Sequence, residues 1–319
     1  MIPMVERRSE FDVTNRVNVT KPEEVCSEVC RLYEELYPKV KIQLLQKVYR
    51  DVAALFLGEY PGFRPCDTPY HDLQHTMDVS LAMARLLHGY ESSALVENRL
   101  GERLFLLGLI AALFHDIGYI RRNGDRMHRS GGAYTYRHVT RSGQILTEYL
   151  TKLGMADQAE VARKLIHYTG YERPLSEIRL RGSERDVGRL LGASDLLAQM
   201  SDRCYLEKCR DRLYVEFTAV GMTGETAPPG GFTSPKALIE KTPQFFKHVI
   251  QERFEKTLKG VYHYSELYFL PQRDYYWEWL EKNSSYLEGV INKQDMNMLR
   301  RVAPWTLAVK QEEILGSVC

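Results

Sequence analysis

A chain of 319 residues is long enough to bury a large core, in one big domain or two smaller ones. Its 43 basic and 42 acidic side chains leave a formal net charge of +1, with no polybasic arm or acidic tail, so neither nucleic acid nor a membrane surface is implied as a partner. No apolar run is long enough to span a bilayer, MIPMVERRSEFDV lacks the apolar centre of a secretory signal, and the six cysteines form no C-x-x-C pair; a cytoplasmic protein with reduced thiols is expected.

The first periodic stretch, KPEEVCSEVCRLYEELYPKVKIQLLQKVYRDVAALFLG, predicts one or two long helices ending near Gly58. GFRPCDTP is a loop rich in turn formers. A helix holding YHDLQHTMDVS follows, with Leu73, Met77, Leu81, Ala84 and Leu87 on its apolar side. On that helix His71 and His75, four residues apart, would share one face. GERLFLLGLIAALFHDIG is apolar on nearly all sides and predicts a buried central helix ended by Gly118. After a polar loop, HVTRSGQILTEYLTKLG and ADQAEVARKLIHYTG predict two helices, one opened by His138 and one closed by His167.

SERDVGRLLGASDLLAQMSDRCYLEKCRDRLYVEF reads as one further long helix with Ser183 as its N-cap. The strongest break is GMTGETAPPGGFTSP, residues 221–235: a lid, a flexible link or, most simply, a surface connection. The remainder, 236–319, returns to helix with an aromatic cluster in DYYWEWLEKNSSYL. Alternating β patterns are scarce, so the expected fold is all-α, one domain with N- and C-terminal helical additions.

His115-Asp116 ends an otherwise hydrophobic helix. A carboxylate and an imidazole there are costly to bury without partners, and a divalent cation satisfies both. Asp195, between Ala, Ser and two Leu, has the same need, met by a cation or by a buried arginine.

The order His, His-Asp, distant Asp resembles the HD superfamily of metal-dependent phosphohydrolases. YHDLQHTMDV and LIAALFHDIGYIRRNG resemble more closely the paired signatures of cyclic-nucleotide phosphodiesterase catalytic domains, and the likeness covers about residues 65–205. It implies His75, His115, Asp116 and Asp195 as metal ligands, Asp116 as the acid able to bridge two metals, and His71 as the acid that protonates the leaving oxygen. Asp78, one turn after His75, fits a residue that orients an imidazole. HVTRSGQIL and LIHYTG resemble the bacterial cyclic-dinucleotide phosphodiesterases of the same superfamily and add His138 and His167 as ligands of a binuclear site.

The resemblance therefore implies two divalent ions (Mg, Mn, Zn, Fe, Co or Ni) that activate water against a small phosphoester of nucleotide type, cyclic nucleotides included. Two departures stand out: Tyr119 replaces a family histidine, and Tyr168 replaces the second histidine of the cyclic-dinucleotide branch. Gln244, Phe245 and Phe246 are loosely similar to the family's purine clamp. Arg121, Arg122 and Arg126 either bind phosphate or form a solvated basic loop. Two other readings remain open. The set His75, His115, Asp116, His138, His167 and Asp195 also fits HD-type di-iron oxygenases acting on small alcohols or phosphonates, and the fold can persist as a non-catalytic regulatory module.

Overall fold

The computed structural model describes residues 7–225, 227–269 and 273–305. Two amphipathic helices come first, α1 (Pro22–Leu36) and α2 (Gln43–Leu57), and Gly58 closes the second in the left-handed conformation at φ 75°. The long α3 (Leu73–Ser93) and the apolar α4 (Glu102–Phe114) follow. From Phe105 to Phe114 only Leu106 is not buried in α4, as its uniform hydrophobicity predicts. Next are α5 (His138–Lys152), α6 (Ala159–Ile166) and α7 (Gly182–Ser201). α3 packs on α1, α4 and α7, and α4 on α6 and α7, so α3, α4 and α7 form the centre of the bundle. Among the described residues the only β pairing is three isolated bridges, and the all-α expectation holds.

Two predicted boundaries differ. Arg181, not Ser183, stands at the N-cap of α7 and offers no side-chain cap. The predicted long helix also stops at Ser201. Asp202 leaves the helical conformation at ψ 130°, its carboxylate accepts the Cys204 N–H at 2.8 Å, and Lys208 pairs with it at 2.5 Å. That acid starts a new helical run: α8 (Tyr205–Lys208), a π-helical turn (Cys209–Leu213) and α9 (Tyr214–Thr218). The π turn changes which face the next residues present.

In the predicted break, the described residues 221–225 and 227–235 fold back through Phe232, whose N–H donates to Met222 O at 2.8 Å and whose ring stacks on Phe217 at 5.5 Å. α10 (Pro235–His248), a second π-helical stretch (Val249–Thr257), α11 (Tyr264–Tyr268) and α12 (Tyr275–Lys293) follow, and the part of the helical expectation for 236–319 that falls on 270–272 and 306–319 lies outside the described residues. α11 packs on α3 and α12 on α7, so the C-terminal helices belong to the same body as the central ones.

One buried ion pair ties the N-terminal segment to this body. Arg85 of α3 meets Asp12 at 2.5 Å and the Tyr276 hydroxyl of α12 at 3.0 Å, with both charged side chains 2 % exposed. Asp12 also accepts the N–H groups of Arg16 and Val17. Burial works against the carboxylate, yet Arg85 and these donors hold Asp12 down at about 2. Its contribution is therefore full above the ordinary aspartate range and is lost as pH falls toward 2. Asp12→Ala strands a buried guanidinium and is expected to cost about 3–5 kcal/mol, read as a lowered urea midpoint at neutral pH that converges on wild type in acid.

Candidate metal centre

The site begins with a helix cap. The Asp72 carboxylate accepts the His75 N–H at 2.9 Å, and its extended backbone (φ −100°, ψ −178°) starts α3 at Leu73. His71 therefore stands outside the helix, and the expectation that it shares a helical face with His75 is corrected. The two rings remain neighbours, 5.8 Å apart and nearly perpendicular at 82°.

Freed from the helix, His71 points its Nδ1 at Glu216 Oε2, 2.5 Å away. The other Glu216 oxygen accepts the N–H groups of Tyr70 at 2.6 Å and His71 at 3.0 Å. Glu216 lies on α9 with its side chain 2 % exposed. Sequence reasoning missed it; its one signal was an acid between apolar neighbours in YVEF. Burial works against the His71 imidazolium, but Glu216 and Asp116 outweigh it and raise His71 above its ordinary value.

The metal-type residues converge from four segments. His75 Nε2 lies 3.3 Å from Asp195 Oδ1 and 3.4 Å from Asp116 Oδ2. His115 Nε2 lies 3.3 Å from His75 Nε2 and 3.0 Å from Asp116 Oδ2. His138 Nε2 is 3.6 Å from the other Asp116 oxygen. Two of the imidazoles are oriented through Nδ1: His115 on Ala112 O and His138 on Thr135 O, both at 2.7 Å. That leaves Nε2 of each for the centre.

Ligand atoms of His75, His115 and Asp195 lie within 4.8 Å of one another, so one cation fits among them, with Asp116 alongside. Burial disfavours a charged His75, yet Asp116 and Asp195 outweigh it and push His75 up to about 10. Burial likewise opposes the Asp116 carboxylate, but His115 and His71 hold it well below the usual range.

Close approach sets the position of His138. A Cβ on Gly118 would stand 1.9 Å from His138 O, and the Gly118 N–H donates to Ser142 Oγ at 2.8 Å. α4 already ends at Phe114, so Gly118 serves this contact with α5 and does not cap the helix. The next residue, Tyr119, stacks on His71 at 4.5 Å and on His138 at 4.3 Å, walling the centre with a ring. From the other side Glu172 accepts the N–H groups of Val139 and Thr140, holding the first turn of α5.

Several expectations fall elsewhere. His167 follows α6 as predicted; it makes no ion pair with Asp116 or Asp195 among the described contacts and is not among the residues that line the cavity, both its ring nitrogens are buried without a hydrogen-bond partner, and the charges bearing on it are Arg173, Glu172 and Arg163. The chain turns there, with Tyr168 N–H on Leu165 O at 3.0 Å, so that residues 169–172 line the cavity instead. Asp78 makes no hydrogen bond to the His75 ring among the described contacts. Burial and Asp202 lift it to about 7, against Lys208, Arg7 and His75.

Arg121, largely buried, pairs with Asp67 and Arg122 with Glu148, while Arg126 is exposed; none of the three lines the cavity over the centre. Of the loosely matched clamp only Phe245 reaches the cavity; Gln244 is exposed and Phe246 packs on Tyr205. The glutamine that does line the cavity is Gln199, one helical turn after Asp195, accepting from the Tyr70 hydroxyl at 3.4 Å.

The cavity over the centre holds about 350 Å³. Leu196, Leu213, Phe217 and Phe245 give it an apolar wall, and no lysine or arginine stands among its described lining residues.

The helical frame has a solved counterpart. The chain is similar in structure to the phosphodiesterase domain of the Salpingoeca rosetta rhodopsin phosphodiesterase, with a TM-score of 0.53 and 16 % identity over 90 % of this chain and 92 % of that one. Residues 125–266 match the family model described as Npun_R2479-like. No curated protein matches the chain.

A cation that binds only the folded centre stabilises the chain by mass action. Saturating Mn²⁺ is expected to raise the melting temperature. The gain should vanish in His115→Ala and persist in His167→Ala, read by thermal melts with metal content measured on the same samples.

Proposed function

We propose that this protein is a metal-dependent phosphodiesterase acting on a small phosphoester that carries a ring, a nucleotide among them. The observation that carries the reading is the His71–Glu216 pair at 2.5 Å, set beside His75, His115, Asp116 and Asp195 but outside their cluster. A divalent ion held by His75, His115, Asp116 and Asp195, with His138 facing the second Asp116 oxygen, would supply an acidified water and positive charge for phosphoryl oxygens.

The chain's own groups do the rest. With Nδ1 committed to Glu216, His71 keeps Nε2 for the cavity it lines, and a proton there suits transfer to a departing alkoxide. Glu216 stabilises the charged form and, through the two backbone N–H groups, fixes where the ring stands. Tyr119 packs flat against His71 and limits its tilt. The apolar wall excludes water and offers a face to a planar ring. With no lysine or arginine lining the cavity, a singly charged diester suits it better than a multiply charged monoester.

The di-iron oxygenase reading needs the full set of six ligands. That His167 makes no described contact with the other five residues and does not line the cavity speaks against it, as does a braced acid that oxygen activation does not require. Two bound irons with substrate-dependent oxygen uptake in anaerobically purified protein would overturn the hydrolase reading.

His71→Ala is expected to retain metal and lose about 10²–10⁴ in kcat toward a generic diester such as bis(p-nitrophenyl) phosphate, whereas Asp116→Ala loses metal and activity together. Loss of metal in the His71 variant would make it a ligand. The raised His71 proton is present at low pH and is lost as pH rises through its value, which sets an alkaline limb on kcat. Glu216→Gln removes the anion that raises it, so that limb should move to lower pH while metal content stays unchanged.

A further inference from the structure

A second cavity, of about 570 Å³, opens where the 175–181 turn meets the first turns of α7, and the mechanism does not use it. Its lining carries Arg179, Arg181, Arg185 and Arg189 together with Ser176 and Tyr168. Arg189 is paired with Asp186 at 2.9 Å. Arg179, Arg181 and Arg185 make no ion pair or side-chain hydrogen bond with any described residue.

This arrangement opposes the stability of its own helix. Arg181, Arg185 and Arg189 are spaced i, i+4, which sets like charges beside one another. Arg181 and Arg185 also sit at the positive end of a 20-residue helix, where cations are disfavoured and the first N–H groups have no side-chain cap. A bound anion would reverse both costs.

A separate observation points the same way. Tyr168 is 2 % exposed, its ring lines this cavity, and its hydroxyl has no hydrogen-bond partner among the described residues. The ring is held in place: Gly188 leaves room where a Cβ would stand 2.7 Å from it, and Arg253 donates to Tyr168 O at 2.9 Å. An unused hydroxyl on a fixed ring, in a cavity that three unspent guanidinium groups also line and with Arg185 and Arg189 near enough to act on it, belongs to a donor set for phosphate oxygens.

We propose that this cavity is a binding site for a small, multiply charged phosphate anion of the pyrophosphate kind, distinct from the metal centre. The metal cavity offers such an anion no guanidinium, whereas this one offers several.

The test uses full-length, metal-free protein and inorganic pyrophosphate in calorimetry. One equivalent should bind, more weakly as salt rises. The Arg181→Gln/Arg185→Gln double variant should lose at least about tenfold in affinity, each lost charge-assisted bond contributing. Tyr168→Phe, which keeps the ring, should lose a smaller factor. Relief of like-charge repulsion means the double variant should melt at or above the wild-type temperature; a lower melting temperature would mark the arginines as structural and overturn the proposal. So would an equal loss in the control Arg122→Gln, a loss in His71→Ala, which would place the anion in the metal cavity, or tighter binding of an acidic peptide than of pyrophosphate.

Discussion

A carboxylate at the end of an apolar helix is the constraint on which this molecule depends. Asp116 is 4 % exposed and follows a helix buried on nearly every side. Alone, such a charge would cost several kcal/mol. It is tolerated because His75 and His115 from two directions, and His138 from a third, face its two oxygens. A second acid, Asp195, closes the group from α7. The packing of α3, α4 and α7 brings these residues within reach of each other.

Most of the chemistry sits at helix ends, where the chain changes direction and backbone groups need partners. Asp72 caps α3 and sends His71 off the helix. His115 and Asp116 lie just past α4, and His138 opens α5 with its first N–H groups held by Glu172. Gly118 lets α5 approach so closely that a methyl group would collide with its backbone. Asp195, by contrast, comes from well inside α7, with Gln199 one turn further along the same helix.

The two cavities have opposite electrostatics. The one over the His75–Asp195 cluster is rich in imidazole and carboxylate and has no guanidinium among its described lining residues, while the other is dominated by guanidinium. A single short stretch separates them: Tyr168 lines one, and Thr169 to Glu172 line the other. Glu172 also holds the helix that carries His138.

The resemblance to the HD motifs implied the grouping of His75, His115, Asp116 and Asp195; the sequence by itself determined the all-helical class, the buried α4 and the need of Asp116 and Asp195 for a partner. Periodicity and the cost of burying charge are local properties that neighbouring residues reveal. It did not determine the partner of His71, because Glu216 lies 145 residues away on a helix whose start and face depend on the Asp202 break and the π turn. Nor did it separate His167 from the centre: helix-end position and residue type matched, but the direction of the turn after α6 is set by packing on α7. Spacing fixes which side chains share a helical face. Which faces meet, and which helix end an acid reaches, only the tertiary packing decided.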